Sequence, residues 1–364
     1  MKQIIDNSPR KAILVAVAET RDGEKVFAEL TRLAETAGYQ TVATLFQRRD
    51  KPDKTYHIGK GKLSELLAIV ESQSADIVIF DDDISGSKFN NLEQFLNVDV
   101  IDRKTLILEI FANRAISGEG KLQIELARNK NLLPRIIGKG ISLSRQGGGG
   151  AGGGGARRGG GEQKLELDRR TLREEIDVLT EKIAKLSKER DLRRQKRQKN
   201  QIKTVAIVGY TNAGKSTLMN TLTKADVLSD DKLFATLDPI SRKLWLDLGK
   251  EFLLVDTVGF ISRLPHELVE AFKSTLEEAK FADLLVVVSD GSSESVIFEY
   301  DSVCDTLDNI GTPAETPRIL ALNKCDKGLV TTIPNAEHTV VISAKTGEGI
   351  DLLKSKISSL LFGN

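Results

Sequence analysis

Thr204-Val205-Ala206-Ile207-Val208 runs directly into Gly209-Tyr210-Thr211-Asn212-Ala213-Gly214-Lys215-Ser216, with Thr217 next. An unbroken apolar run that stops at glycine reads as a buried strand, and Gly-x-x-x-x-Gly-Lys-Ser at its carboxyl end reads as a phosphate-binding loop. The glycines let successive backbone N–H groups, those of Asn212, Ala213, Gly214 and Thr217 among them, turn toward one concavity. Lys215 can reach the terminal phosphates, and the Ser216 hydroxyl can bind Mg²⁺. Strand, loop and helix in this order predict an α/β domain with a mainly parallel sheet.

Three further motifs choose the nucleotide. Asp256-Thr257-Val258-Gly259 follows the strand Phe252–Val255; its carboxylate can hold Mg²⁺ through water, and the Gly259 N–H can sense a γ-phosphate. Asn323-Lys324-Cys325-Asp326 follows the strand Arg318–Leu322. Asp326 can accept two hydrogen bonds, from N1–H and from the exocyclic amine of guanine. Adenine offers neither, and an unpaired carboxylate would cost about 1–3 kcal/mol or more. Ser343-Ala344-Lys345 follows His338–Ile342 and fits a loop whose backbone N–H meets guanine O6. Between the first two motifs, Thr236 in Leu233–Pro239 is the candidate switch residue completing the Mg²⁺ shell. Each motif alone is ordinary turn chemistry, but four in order at strand carboxyl ends, where open α/β sheets bind ligands, predict a GTP and GDP site. Lys215, Thr236 and Gly259 are then the catalytic candidates. Phe260 stands where Ras-type GTPases carry a water-orienting glutamine. Phenylalanine cannot hydrogen-bond water, so slow intrinsic hydrolysis is expected, unless Phe260 packs inward and another residue positions the water.

The 364 residues, 40% hydrophobic, suffice for two or three cores. No apolar run approaches the roughly 18–20 residues that span a bilayer, and the amino terminus lacks an apolar signal core. Cys304 and Cys325 have no metal-ligand spacing, so neither a zinc site nor a disulfide framework is expected. The expectation is a cytoplasmic monomer without membrane insertion, peripheral association at a membrane being compatible with it. Net charge is only +1, but Lys182–Lys203 holds ten Lys or Arg against two acids. Such a run is either a solvated helix face or a contact for RNA or another acidic surface.

Toward the amino terminus, apolar runs at Ala12–Ala18, Gln40–Phe46, Asp76–Asp81 and Val98–Ile101 alternate with helical patterns near Glu24–Ala37, Lys62–Ser72 and Ser87–Leu96. This alternation predicts a small parallel α/β domain over 1–103. Within it, Tyr56-His57-Ile58-Gly59-Lys60-Gly61-Lys62 is either a tight turn with exposed lysines or a partial phosphate loop. From 104 to 201 the pattern is helical. Leu122, Leu126, Leu133 and Ile137 share one side, with Pro134 as a kink or break. Leu172, Ile176, Leu179, Ile183 and Leu186 follow the 4-3-4-3 spacing of a helix packed on another. A helical hairpin results, its tip being the segment 147–161 with eleven glycines in fifteen residues. That segment is a flexible linker, or an arginine-bearing loop able to enter a narrow RNA cavity. Residues 202–364 form the nucleotide-binding domain.

Together these stretches resemble the HflX GTPases of the translation-factor-related class. The likeness rests on Gly59–Lys62, Asn91-Leu92-Glu93, Val100-Ile101-Asp102-Arg103, Ile107–Ala112, Leu132-Leu133-Pro134-Arg135, the glycine segment closing in Gly161-Glu162, Leu165–Arg170, and the nucleotide motifs with Phe234–Pro239 and Asp256–Ile261. The resemblance implies a GTPase that binds the large ribosomal subunit, with the glycine loop reaching toward the peptidyl-transferase region; the basic helix 182–203, from its charge, is expected as a further contact. Its ascribed outcome is splitting or rescue of stalled or stressed ribosomes; some members are also credited with ATP hydrolysis or RNA unwinding. Other readings are a GTPase assisting ribosome assembly or RNA folding, and a GTP-stabilised scaffold with incidental turnover. Two departures are the longer, purer glycine segment and an end soon after the GTPase domain.

Overall fold

Ile13, Leu14 and Val15 are fully buried in β1 (Lys11–Ala18), as expected of a parallel strand, which is apolar on both faces because helices cover both. In the computed structural model the described residues are 9–19, 23–146, 158–223, 234, 239–245, 250–261 and 273–363; Thr236 and most of the glycine segment, 147–157, lie outside them. The chain divides into two compact units, Met1–Asn113 with Ile124–Glu181, and Arg114–Gln123 with Lys182–Asn364.

In the first unit β1 is joined by β2 (Gln40–Arg48), β3 (Ile77–Phe80) and β4 (Asp99–Asp102), all parallel, in the order β2-β1-β3-β4. Helices α1 (Gly23–Ala37), α2 (Lys60–Gln73), α3 (Gly86–Leu96) and α4 (Arg103–Arg114) alternate with the strands, so the expected small α/β fold is present. Helix α4 buries Leu106, Ile107, Leu108, Ile110 and Phe111 and groups with this unit as far as Asn113. The expected helical middle segment, 104–201, is therefore shared between the two units. Helical periodicity marks it as one stretch, but packing assigns its parts.

His57 explains the Tyr56–Lys62 stretch. It sits at φ +71, is only 3% exposed, and its Nε2 lies 3.1 Å from Asp82 Oδ2. Gly59 N–H donates to Gln47 Oε1 at 2.9 Å, while Lys60 is exposed. The stretch is a turn anchored from within, with lysine directed outward.

Helices α5 (Gly118–Gln146) and α6 (Arg158–Lys199) flank the glycine segment, and Asn129 of α5 donates to Glu175 of α6 at 3.1 Å. On α6 the spacing holds: Leu172 and Leu179 are buried, Ile176, Ile183 and Leu186 half-buried. Among the described residues of α5, Gln123, Ile124 and Ala127 are buried along with Gly120, while Leu122, Leu126 and Leu133 are only half-buried and Ile137 lies outside the described side chains. Spacing finds apolar residues, but the buried face is set by where the neighbours lie. Nor does Pro134 break the helix. Its carbonyl oxygen approaches Gly86 so closely that a Cβ there would lie 2.3 Å away. Beside it Arg135 stacks 3.7 Å above the Phe89 ring and reaches Asp102 (3.3 Å) and the Thr105 hydroxyl, which also accepts from Asn131 (3.0 Å). Arg103 pairs with Asp81 (2.7 Å) and Glu29 (3.0 Å). Asp102-Arg103 and Pro134-Arg135, far apart in sequence, thus build a polar network that ties the start of α4 to the stretch of α5 around Pro134 within the first unit.

The second unit holds a six-stranded sheet ordered β10-β9-β8-β5-β7-β6. Its strands are β5 (Lys203–Gly209), β6 (Ile240–Trp245), β7 (Glu251–Asp256), β8 (Leu284–Asp290), β9 (Arg318–Asn323) and β10 (Thr339–Val341). All pair in parallel except β6, which runs antiparallel to β7 at the edge. Helices α7 (Lys215–Thr223), α8 (Lys273–Lys280), α9 (Val296–Asn309) and α10 (Ile350–Phe362) accompany it. Val205, Ile207, Val286, Val288, Ile319 and Ile342 form its core together with Leu218 and Met219 of α7 and Leu353 and Ile357 of α10.

Candidate nucleotide site

The loops that leave β5, β7, β9 and β10 all emerge at the carboxyl ends of their strands, where an open α/β sheet binds ligands. Gly209 stands at the end of β5, and a Cβ there would lie 2.2 Å from the Val288 carbonyl oxygen, so only glycine lets β5 close on β8. Asn212 (φ +61) and Gly214 (φ +96) then turn the chain with left-handed backbone before α7 opens at Lys215. Successive N–H groups in such a turn make an anion-binding concavity at a helix start. Thr217 follows in the first turn of α7, half-buried.

Lys215 is buried, and its ammonium donates to the Tyr210 carbonyl at 2.8 Å. Burial pushes its pKa down to about 8, against a smaller opposing pull from Asp256. The Ser216 hydroxyl donates to Asp256 Oδ2 at 3.0 Å. One ionisable carboxylate beside one hydroxyl is the hard oxygen donor set that Mg²⁺ takes, so these residues fit such an ion.

Gly259 comes so near the phosphate loop that a Cβ would lie 2.8 Å from Thr211 Cγ2 and 3.0 Å from Lys215 Nζ. The two loops are joined by backbone: Phe260 N–H donates to Gly209 O (3.0 Å), and Thr211 N–H to Phe260 O (2.7 Å). The Phe260 side chain is 1% exposed. It packs inward, so it neither orients water nor occupies a water's place.

Asn323 joins the base-side loops to the phosphate loop. Its Nδ2 donates to the Ala213 carbonyl and its Oδ1 accepts from Ala344 N–H, both at 2.8 Å. Gly214 must be glycine partly for this reason, since a Cβ would lie 2.2 Å from Asn323 Nδ2. Asp326 is exposed and accepts from the Ser343 hydroxyl at 2.6 Å; that bond holds its carboxyl below the usual carboxylate range. Ser343 and Ala344 are buried, while Lys345 is exposed beside them. The structure therefore gathers Gly209, Asn212, Ala213, Gly214, Lys215, Ser216, Thr217, Asp256, Gly259, Asn323, Lys324, Asp326, Ser343, Ala344 and Lys345 at one end of one sheet.

Two participants escaped the motif reading. Asp290 at the end of β8 accepts from Lys324 Nζ at 2.7 Å; burial raises its carboxyl pKa, but hydrogen bonds from Lys324 and Ser292 outweigh this and leave it lowered. The pair orients Lys324, which is at φ +65. An aspartate closing an apolar strand was the available signal. Thr221 of α7 donates to Ala344 O at 2.6 Å, and nothing in the sequence marks it.

Three family models match in order: a GTP-binding GTPase N-terminal region over residues 24–112, a GTP-binding GTPase middle region over 114–197, and a 50S ribosome-binding GTPase over 204–324. GTPase HflX of Caldanaerobacter subterraneus subsp. tengcongensis is 51% identical over 353 residues, covering 97% of this chain and 81% of that one. The chain belongs to the HflX family of GTPases. GTPase HflX of Escherichia coli is 40% identical over 361 residues, covering 97% and 83% of the two chains. Among solved structures, the SsGBP complex with GDP matches with a TM-score of 0.53 at 27% identity, covering 97% of this chain and 98% of that one. The HflX family thus accounts for both units, the nucleotide-binding one and the amino-terminal one.

The basic run separates into two faces. Arg190, Arg194 and Arg197 turn toward α8: Arg190 pairs with Glu277 (3.0 Å) and Glu119, Arg194 with Glu277 (3.6 Å), and Arg197 with Glu278 through both carboxylate oxygens. Arg194 also stacks 3.8 Å above Phe281. Lys182, Lys185, Lys188, Arg193, Lys196 and Lys199 are exposed. Three arginines of the stretch read as a solvated face or an RNA contact therefore hold α6 to α8, and the exposed cations lie elsewhere on the helix.

Proposed function

We propose that this GTPase binds GTP with Mg²⁺ in the concavity of Gly209–Ser216, hydrolyses it slowly by itself, and uses nucleotide occupancy to control association with the large ribosomal subunit. The outcome we assign is splitting or rescue of ribosomes under stress. The observation that carries the nucleotide reading is the Asn323 bridge, which ties Ala213 of the phosphate loop to Ala344 of the base-side loop and so sets one distance between phosphate and base recognition. Asp326, oriented by Ser343, would read guanine N1–H and the exocyclic amine.

In this reading Lys215 neutralises charge on the β- and γ-phosphates as water attacks in line, and the Gly259 N–H meets the γ-phosphate. Ser216 and, through water, Asp256 would hold Mg²⁺, with Thr236 completing the set in the GTP state. Held there, Mg²⁺ would supply positive charge against the charge that develops on the phosphates. Loss of the γ-phosphate would release the segments carrying Thr236 and Gly259. The ribosomal assignment is supported by the match of residues 204–324 to a 50S ribosome-binding GTPase. Contact through the glycine segment 147–161 and the exposed cations of α6 is part of the same proposal.

Co-sedimentation with separated ribosomal subunits, in GDP and in a non-hydrolysable GTP analogue, tests it. Enrichment on the large subunit with the analogue is expected, and its loss on deleting 147–161 would assign the loop. No nucleotide-dependent enrichment would overturn the ribosomal reading. Preference for subunit precursors over mature particles would redirect it to assembly.

A further inference from the structure

Asp326 does not sit on a strand or a long helix; it is carried by a single 3-10 turn, Cys325–Lys327, just after β9 ends at Asn323. Lys324 starts that turn. Its carbonyl accepts from Lys327 N–H at 2.9 Å, and its own backbone is left-handed, at φ +65. Such backbone is unfavourable for a residue with a Cβ and persists only where the surroundings impose it. The place of Asp326 therefore depends on what holds Lys324.

The turn that closes β8 does so. Asp290 divides its carboxylate: Oδ2 accepts from Lys324 Nζ at 2.7 Å, while Oδ1 accepts from the Ser292 N–H (3.0 Å) and the Ser292 hydroxyl (2.6 Å). Ser292 thus fixes the group that holds the lysine. Between them Gly291 grips the loop by backbone at both flanks, its N–H donating to Asn323 O at 2.8 Å and its carbonyl accepting from Val330 N–H at 2.9 Å. The base-side loop is braced by three residues that belong to none of the four nucleotide motifs.

We propose that Asp290 is a positioning residue for guanine recognition: through Lys324 it holds the left-handed start of the turn that carries Asp326, and so keeps that carboxylate in line with guanine N1–H and the exocyclic amine. The inference rests on the reading of Asp326 as the guanine contact. Inosine diphosphate offers N1–H but no exocyclic amine, so it has less to lose than GDP when Asp326 is displaced.

Calorimetric affinities of the full chain for GDP and for inosine diphosphate, both with Mg²⁺, test the proposal in the wild type, Asp290→Ala, Lys324→Gly and the double variant. Asp290→Ala is expected to lower GDP affinity about tenfold, the size of a charge-assisted hydrogen bond. Inosine diphosphate should lose less, so the preference for GDP shrinks by about threefold on the same scale. Glycine adopts left-handed backbone without strain and has no ammonium to be held. In the Lys324→Gly chain, Asp290→Ala should therefore change either affinity by less than about twofold, as a double-mutant cycle requires of a residue that acts through its partner. Should Asp290→Ala not fold, Asp290→Asn, equal in size and still an acceptor for Ser292, takes its place with a smaller shift in the same direction. Parallel losses for the two nucleotides would overturn the proposal, as would unchanged affinities or an undiminished effect in the Lys324→Gly chain. A wild type that binds GDP no better than inosine diphosphate would instead count against the guanine reading of Asp326, so the two failures are distinguishable.

Discussion

Lys215 shows how one residue can carry both recognition and a pH signature. Burial drives its pKa to about 8 in the folded chain, from the ordinary 10.5. Below pH 8 the folded and unfolded states are both protonated, and the folded state bears the full cost of a buried charge. Between pH 8 and about 10.5 the unfolded state binds more protons, so the contribution of Lys215 to stability rises with pH across that window. Phosphates beside the ammonium reverse the shift. GDP binding at pH 8 should therefore take up protons, visible calorimetrically as a binding heat that differs between buffers of different ionisation heat; equal heats would contradict the assignment. Phe260 gives a second test at this scale. Because its ring is buried, Phe260→Gln should not restore a water-orienting group. It should destabilise the chain by about 1–3 kcal/mol through a buried amide and leave GTP turnover no faster. Faster turnover at unchanged stability would show that the position faces the γ-phosphate after all.

At the scale of elements, small residues decide which helices and strands can meet. Gly86 admits the Pro134 carbonyl where a Cβ would lie only 2.3 Å away, so Gly86→Ala must push α3 and α5 apart or displace Phe89 and Arg135. The expected cost is about 1–3 kcal/mol, measurable as a lower urea midpoint with an unchanged slope; no change would mean that the helices slide freely. Helix α6 carries the complementary lesson. Its apolar 4-3-4-3 stripe was legible because packing spacing is a property of one helix. The division of its cations was not, because Arg190, Arg194 and Arg197 differ from Arg193 and Lys196 only in which side meets Glu277 and Glu278.

For the whole molecule, two sheets with separate cores predict that a ligand of one unit stabilises that unit first. At GDP concentrations about 100 times the Kd, linkage gives about 2.7 kcal/mol. Scanning calorimetry should show one transition rising with GDP and another staying in place. A single transition moving as one would mean that the units unfold cooperatively. No helix among the described residues is long and apolar enough to cross a membrane.

The sequence by itself determined the strand runs, the four nucleotide motifs and the guanine reading, because parallel strands bury both faces and phosphate loops need fixed residue types at fixed spacing. It located β1–β4 to within a residue or two, since apolar runs and their turn residues are local signals. Only the tertiary structure decided that Phe260 faces inward, that α4 folds with the first unit, that Asp290 holds Lys324, and that Thr221 meets Ala344. These depend on which surfaces meet across tens to more than a hundred residues, and no local spacing encodes a contact whose two halves are each unremarkable where they stand.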